Sequence, residues 1–152
     1  MYLKLLIRKD YEKRMINIGD YISLDENDIR MLNPLVWAYI GDAVYEVYVR
    51  SHIISEGIKN AKDLHRASIK YVKAGEQAKI LDSISSTLSE EEQNIVRRGR
   101  NTKTHHVPKN AEVIDYRLAT AFECLIGYLF LMKRYERLDE IMKNIFKGAA
   151  IS

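Results

Sequence analysis

The chain has 152 residues, enough for one domain with a sizeable core, and 47% hydrophobic against 30% charged residues mark a globular protein. A single Cys excludes an internal disulfide, two Pro and seven Gly leave little turn chemistry for an all-β fold, and no apolar run reaches the roughly 18–20 residues that cross a bilayer. The net charge is only +3, so its distribution carries more than its sum.

Residues 1–14 hold Lys4, Arg8, Lys9, Lys13 and Arg14 against Asp10 and Glu12, a local +3 that leaves the remainder neutral. They have weak helical character and no clear partner face; Met15 is an alternative start, which would make the first fourteen residues a leader. Residues 15–32 are polar and read as a short helix or a loop, so that 1–30 form an N-terminal extension and 31–148 the domain proper. Asn33-Pro34 opens a helix, with Asn as cap and Pro at the first helical position. It is expected to run from Pro34 to about Glu56, stopped by Gly57, with Val36, Ile40, Ala43, Val44, Val47 and Ile54 at helical spacing.

Asn60 caps a second helical stretch reaching about Ser85, with a break expected at Gly75. Ser89-Glu-Glu-Glu92 has the spacing of a capping box and opens a helix towards Arg98. From Gly99 to Asn110 the chain reads as a polar, basic loop. Residues 97–110 carry Arg97, Arg98, Arg100, Lys103 and Lys109 with no acid, a +5 patch suited to phosphate. A long helix covers about Ala111 to Lys133, and an amphipathic one about Tyr135 to Lys147, using Leu138, Ile141, Met142 and Ile145. There is no repeat and no convincing strand. The fold class is a single all-α domain.

Two apolar stretches each contain one isolated acid. Trp37 to Arg50 carries Asp42 beside Gly41, and Thr120 to Leu131 carries Glu123. A carboxylate in such company is costly unless it is paired or bound to a cation. Two readings stand open on the residues alone: a hydrogen-bonded structural pair, or two ligands facing each other across a divalent metal. Glu46, one turn after Asp42, reads as an ion-pair partner or as support behind a ligand. His65 reads as a capping or packing residue, and adjacent His105 and His106 as polar contacts. Cys124 and Met142 read as core, and Tyr39, Tyr45 and Tyr48 as core or interface packing.

Ile40-Gly-Asp-Ala-Val44 resembles the signature helix of the ribonuclease III catalytic domain, and Phe122-Glu-Cys-Leu-Ile-Gly127 resembles its second acidic helix. Asp63-Leu-His65, Arg98-Gly-Arg-Asn101, Pro108-Lys-Asn110 and Tyr116-Arg117, in the same order, resemble the Mini-III ribonucleases, short members without a double-stranded RNA-binding domain. The resemblance spans roughly Leu32 to Phe146. It departs from the larger enzymes where they carry a further acid one turn before each ligand: here those positions are Ala38 and Thr120.

The resemblance implies a metal-dependent endoribonuclease. Asp42 and Glu123 would be the catalytic metal ligands for Mg²⁺, with Mn²⁺ able to substitute, and Glu46 and Thr120 would support them. Arg97, Arg98, Arg100, Asn101, Lys103 and Lys109 would bind RNA. The implied substrate is double-stranded RNA, a 23S ribosomal RNA precursor, cut to 5′-phosphate and 3′-hydroxyl ends. The implied assembly is a homodimer, with no DNA partner; the single Cys points to a reducing, cytoplasmic compartment, and no membrane partner is expected. A catalytically silent RNA-binding module of the same fold is the alternative.

Overall fold

A computed structural model describes residues 18–103, 109 and 112–151 of the chain. The expectations for residues 1–14, for Met15, and for His105 and His106 lie outside the described residues. Among those described there are helices and no strand. A 3₁₀ turn at Ile18–Tyr21 precedes α1 (Glu26–Met31), α2 (Pro34–Ser55), α3 (Ala61–Val72) and α4 (Ala74–Ile84). After a second 3₁₀ turn at Ser85–Thr87 come α5 (Glu90–Asn101), α6 (Val113–Leu131) and α7 (Tyr135–Ile151).

The helix starts follow local chemistry. The Asn33 side chain accepts from the Leu35 amide at 2.9 Å, and that of Asn60 from the Lys62 amide at 2.8 Å. The box at Ser89 is complete: its hydroxyl accepts from the Glu92 amide at 3.2 Å, and its own amide donates to the Glu92 carboxylate at 3.0 Å. Gly57 stops α2 with φ of 89°, a conformation that costs glycine little. The break between α3 and α4 falls at Lys73, which is extended, and not at Gly75. Gly75 instead lies inside α4, where a methyl group would come within 3.3 Å of the Asp115 carboxylate on α6. Residues 99–101, expected in the loop, are the last turn of α5.

α6 is the central helix. Its residues 119–122 and 124–129 are all buried. The larger core joins Phe122, Leu125 and Leu129 of α6 to Tyr45, Val49 and Ile53 of α2, Leu81 and Ile84 of α4, and Leu138 and Ile141 of α7. A smaller core gathers Ile29, Trp37, Ala38, Ile95, Cys124 and Tyr128, so α1 is seated on the domain. The Trp37 indole N–H donates to the Ile29 carbonyl at 2.9 Å. Val36, Val47 and Ile54 of α2, whose spacing is helical, stand on its outer side, 44%, 65% and 60% exposed. The face turned inward is Trp37, Ala38, Gly41, Tyr45, Val49 and Ile53. A helix that is apolar on both sides gives periodicity nothing by which to choose between them.

Candidate metal centre

The candidate site lies where α2 crosses α6. Side chains at Gly41 or Gly127 would make this crossing impossible. A methyl at Gly41 would sit 1.8 Å from the Glu123 carbonyl oxygen, and one at Gly127 would sit 1.8 Å from the Trp37 carbonyl oxygen. The two backbones therefore touch, each through the other's glycine. Asp42 follows Gly41 directly, and Glu123 stands one turn before Gly127. The glycines thus do not cradle a ligand; they bring two carboxylates on separate helices to one place.

The environments of the two acids differ. Burial is the first cause that raises the Glu123 carboxyl to about 7; the Asp42 charge raises it further, and a hydrogen bond from the Gln77 side chain offsets part of the shift. Asp42 is also raised, first by partial burial and then by the Glu46 carboxylate. Yet Asp42 is exposed, which corrects the picture of an acid enclosed by apolar neighbours. Its helix turns apolar faces both inward and outward, and Asp42 stands clear of the inner one. The burial cost falls on Glu123. Among the described residues no Lys or Arg pairs with either acid.

The other expected site residues are placed as follows. Glu46 accepts from Arg50 at 2.8 Å one turn along α2, so its expected ion pair is present while its charge still adds to the field at Asp42. Thr120 is buried, and its hydroxyl donates to the Tyr116 carbonyl of its own helix at 2.9 Å. Cys124 is core: its thiol donates to the Pro34 carbonyl at 3.1 Å, and burial pushes it up to about 12. Arg97, Arg100, Asn101, Lys103 and Lys109 are exposed.

Arg98, expected to meet RNA, is turned to another use. Its guanidinium donates to the Arg30 carbonyl at 3.0 Å and the Leu32 carbonyl at 3.5 Å, and lies 4.5 Å above the Trp37 ring. It thereby ties the end of α5 to the α1–α2 junction, closing two of the carbonyls left open where α1 ends. Its position in an uninterrupted basic run hid this role. Gln77 went unread in the sequence. Its signal was a polar residue on the face of α4 otherwise made of Ala78, Leu81 and Ile84.

The donor set fits a hard divalent cation. Carboxylate oxygens are the ligands such ions take, and placing two mutually repelling acids together is offset by a positive charge between them. Among the described residues no group of three His, Cys, Asp or Glu assembles, so the protein would supply two carboxylates and further oxygen ligands would come from water or substrate.

These features recur in known proteins. The family model for the ribonuclease III domain matches residues 35–134, which include both acids and the crossing. The chain is 50% identical over 119 residues to Mini-ribonuclease 3 of Brevibacillus brevis, covering 78% of this chain and 89% of that one. It is 49% identical over 121 residues to Mini-ribonuclease 3 of Clostridium tetani, covering 79% and 80%. A crystal structure of a protein from Fusobacterium nucleatum superposes with a TM-score of 0.72 at 34% identity, over 80% of this chain and 98% of that one. With the domain matched from the start of α2 to the turn after α6, and relatives this similar over most of their length, the chain belongs to the ribonuclease III family, in its Mini-ribonuclease 3 branch.

Proposed function

We propose that the protein is a Mg²⁺-dependent endoribonuclease that cleaves double-stranded RNA, with Asp42 and Glu123 as its metal ligands. The observation that carries this reading is the glycine-to-glycine crossing, which sets two carboxylates together without a cationic side chain among the described residues to neutralise them. A divalent ion held there would lower the pKa of a bound water and stabilise charge on the leaving oxygen. Asp42 and Glu123 would hold it from two helices whose spacing is fixed by backbone contact. Glu46 adds negative field beside Asp42.

Arg97, Arg100, Asn101, Lys103 and Lys109 contact the RNA backbone in this reading. Duplex RNA offers phosphates and 2′-hydroxyls and keeps its base edges out of reach, which suits exposed cations. The products carry 5′-phosphate and 3′-hydroxyl ends, the substrate is a 23S ribosomal RNA precursor, and the enzyme works in the cytoplasm as a homodimer cutting both strands. The outer side of α2 supports the dimer. Tyr39 is 83% exposed and Val47 65%, apolar side chains that a second copy of the chain would cover.

Labelled duplex RNA incubated with and without Mg²⁺ tests the reading. Metal-dependent cutting of both strands to 5′-phosphate ends is expected. Binding without cleavage at any divalent-ion concentration would overturn it in favour of the silent module. A monomer mass by light scattering, at concentrations where RNA is cut, would remove the dimer.

A further inference from the structure

Arg97 and Arg100 border a groove of about 420 Å³ between α5 and the 3₁₀ turn that precedes it. Buried Leu81 and Leu88 form its floor, and Ser86 and Gln93 stand beside the two arginines. Among the described residues no Asp or Glu lines it. Gln93, Arg97 and Arg100 follow at i, i+4 and i+7, so they share one face of α5. The polar groups around the groove are unevenly committed. The Ser85 and Thr87 hydroxyls turn back onto the Asp82 and Ile84 carbonyls, at 2.8 and 2.7 Å. Ser86 between them is exposed, and its hydroxyl meets no partner among the described residues. The Gln93 side-chain amide donates to the Leu88 carbonyl at 3.0 Å. That bond fixes the carboxamide and leaves its oxygen, an acceptor, without a donor among the described residues. Arg97 and Arg100 donate to the neutral side-chain oxygens of Asn94 and Asn101, at 3.4 and 3.5 Å, which leaves both charges uncompensated.

An RNA strand offers the complement of this set: an anionic phosphate and, on the adjoining ribose, a 2′-hydroxyl that both donates and accepts. DNA offers the phosphate alone. We propose that the groove seats the RNA backbone, with Arg97 and Arg100 on phosphates and the Gln93 oxygen and Ser86 hydroxyl on a 2′-hydroxyl, and that this contact makes the protein prefer RNA to DNA. This rests on the proposed contact of α5 with duplex RNA. The cations hold any phosphate, and the neutral pair tells which sugar carries it. The seat is packed on the helix that bears Glu123. A methyl at Gly99 would lie 3.0 Å from the Ala121 Cα and 2.8 Å from the Cys124 Sγ, both on α6. Arg100 follows Gly99 in the chain, and Cys124 follows Glu123.

Duplex binding to the full chain in chelator, read by fluorescence anisotropy, tests the proposal with two probes of one sequence. One is RNA. The other is a 2′-fluoro duplex, which keeps the A-form and has no hydroxyl. Gln93→Met keeps the side-chain length and removes the acceptor. Its affinity for RNA should fall about 3- to 10-fold, the scale of one neutral hydrogen bond, and its affinity for the 2′-fluoro duplex should stay within about twofold of the parent. The ratio of the two affinities then falls by nearly the whole loss, which a merely structural role for Gln93 would not produce. A folded Gln93→Met protein with the parent ratio overturns the inference, even if both affinities drop together. Ser86→Ala, on an exposed turn, is measured alongside with the same expectation, and decides if loss of the Leu88 bond unfolds the Met variant. Arg97→Ala and Arg100→Ala separate the two levels of the argument. They should weaken both probes equally, because phosphate is common to both. If they do and the ratio in the other variants is unchanged, the 2′-hydroxyl contact falls alone. If the arginine variants weaken neither probe, α5 is not an RNA surface, and both readings fall.

Discussion

Two pairs of acids in this protein are treated in opposite ways. At the start of α5, Glu92 is 4% exposed yet fully compensated. Arg137 donates to both of its oxygens at 2.8 and 3.0 Å, and the Ser89 amide adds a third bond. Burial alone would raise its carboxyl, but Arg137 and the cap hold it below the usual range. Its neighbour Glu91 is lowered chiefly by Arg134, which grips it at 2.8 and 3.2 Å, and it also accepts from the Tyr128 hydroxyl. Both acids sit in the first turn of a helix, where the macrodipole favours negative charge. At the α2–α6 crossing, Asp42 and Glu123 have no such cations among the described residues, and both carboxyls are raised. The same chain neutralises one buried acid, Glu92, and one half-exposed acid, Glu91, on α5. Leaving the other pair to repel is a specific arrangement, and a divalent cation is its natural complement.

The largest expected effect comes from removing a charge at the crossing. Asp42→Asn should lower cleavage by at least roughly 10²- to 10³-fold, the scale of losing one preorganised charge at a reacting centre. Because Asp42 is exposed, the melting temperature and duplex affinity should hardly move. Measuring all three on one preparation breaks the comparison if the variant cuts at the parent rate, since Asp42 would then be an ordinary surface acid. Next is the crossing itself. Gly127→Ala puts a methyl 1.8 Å from the Trp37 carbonyl, so the helices must separate. A loss of about 3 kcal/mol or more in denaturant unfolding is expected, with cleavage per folded molecule also reduced.

The compensated pair makes the contrary forecast. Arg137→Met strands Glu92, whose side chain is 5% exposed, with only its cap, and should cost about 2–3 kcal/mol, less than the full penalty for a deeply buried pair because Arg137 is 23% exposed. Cleavage per folded molecule should be unchanged. For Glu123 the sign reverses. Its folded carboxyl titrates at about 7, above the ordinary 4.5, so between these values the folded state binds more protons than the unfolded state. Metal-free stability therefore falls as pH rises through that window. Glu123→Gln should raise metal-free stability at pH 8 by on the order of 2–3 kcal/mol and change it little at pH 4. Thermal melts in chelator at both pH values check this, and equal effects at the two would show that the carboxyl is not held high.

Local chemistry was legible in the sequence, and long-range compensation was not. Asn33, Asn60 and the Ser89 box mark their helix starts because a cap acts within three residues. Asp42 and Glu123 stood out as acids in apolar stretches, and the crossing brings them together. The gripping of Glu91 and Glu92 by Arg134 and Arg137 spans more than forty residues, and nothing local announces it. It depends on the turn after α6, where Lys133 adopts φ of 58° and reverses the chain so that both arginines face α5. The inward face of α2 was hidden because both faces are apolar. Gly127 was read within a motif, but that it must be glycine appears only when Trp37 is seen against it.

The cations divide as the acids do, and this gives the smallest and most selective prediction. Arg98, Arg134 and Arg137 are committed to carbonyls, carboxylates and aromatic rings of the protein. Arg97, Arg100, Lys103 and Lys109 pair with no carboxylate among the described residues, and their charge remains available to phosphate. Replacing Arg97, Arg100 and Lys103 one at a time by Ala should each weaken duplex RNA binding and flatten its salt dependence by roughly 0.7–0.9 of a log-log slope unit, borrowing the coefficients for DNA. Melting temperatures should stay close to the parent. Arg98→Ala should do the reverse, lowering the melting temperature through loss of its hold on α1 and the Trp37 ring while leaving the salt slope intact. Its neighbours Arg97 and Arg100 are the appropriate controls, since they share its helix and charge and differ only in what the guanidinium touches. An Arg98→Ala slope that falls as far as theirs would mean that the inward guanidinium also neutralises a phosphate, and the division between committed and available cations would no longer hold at α5.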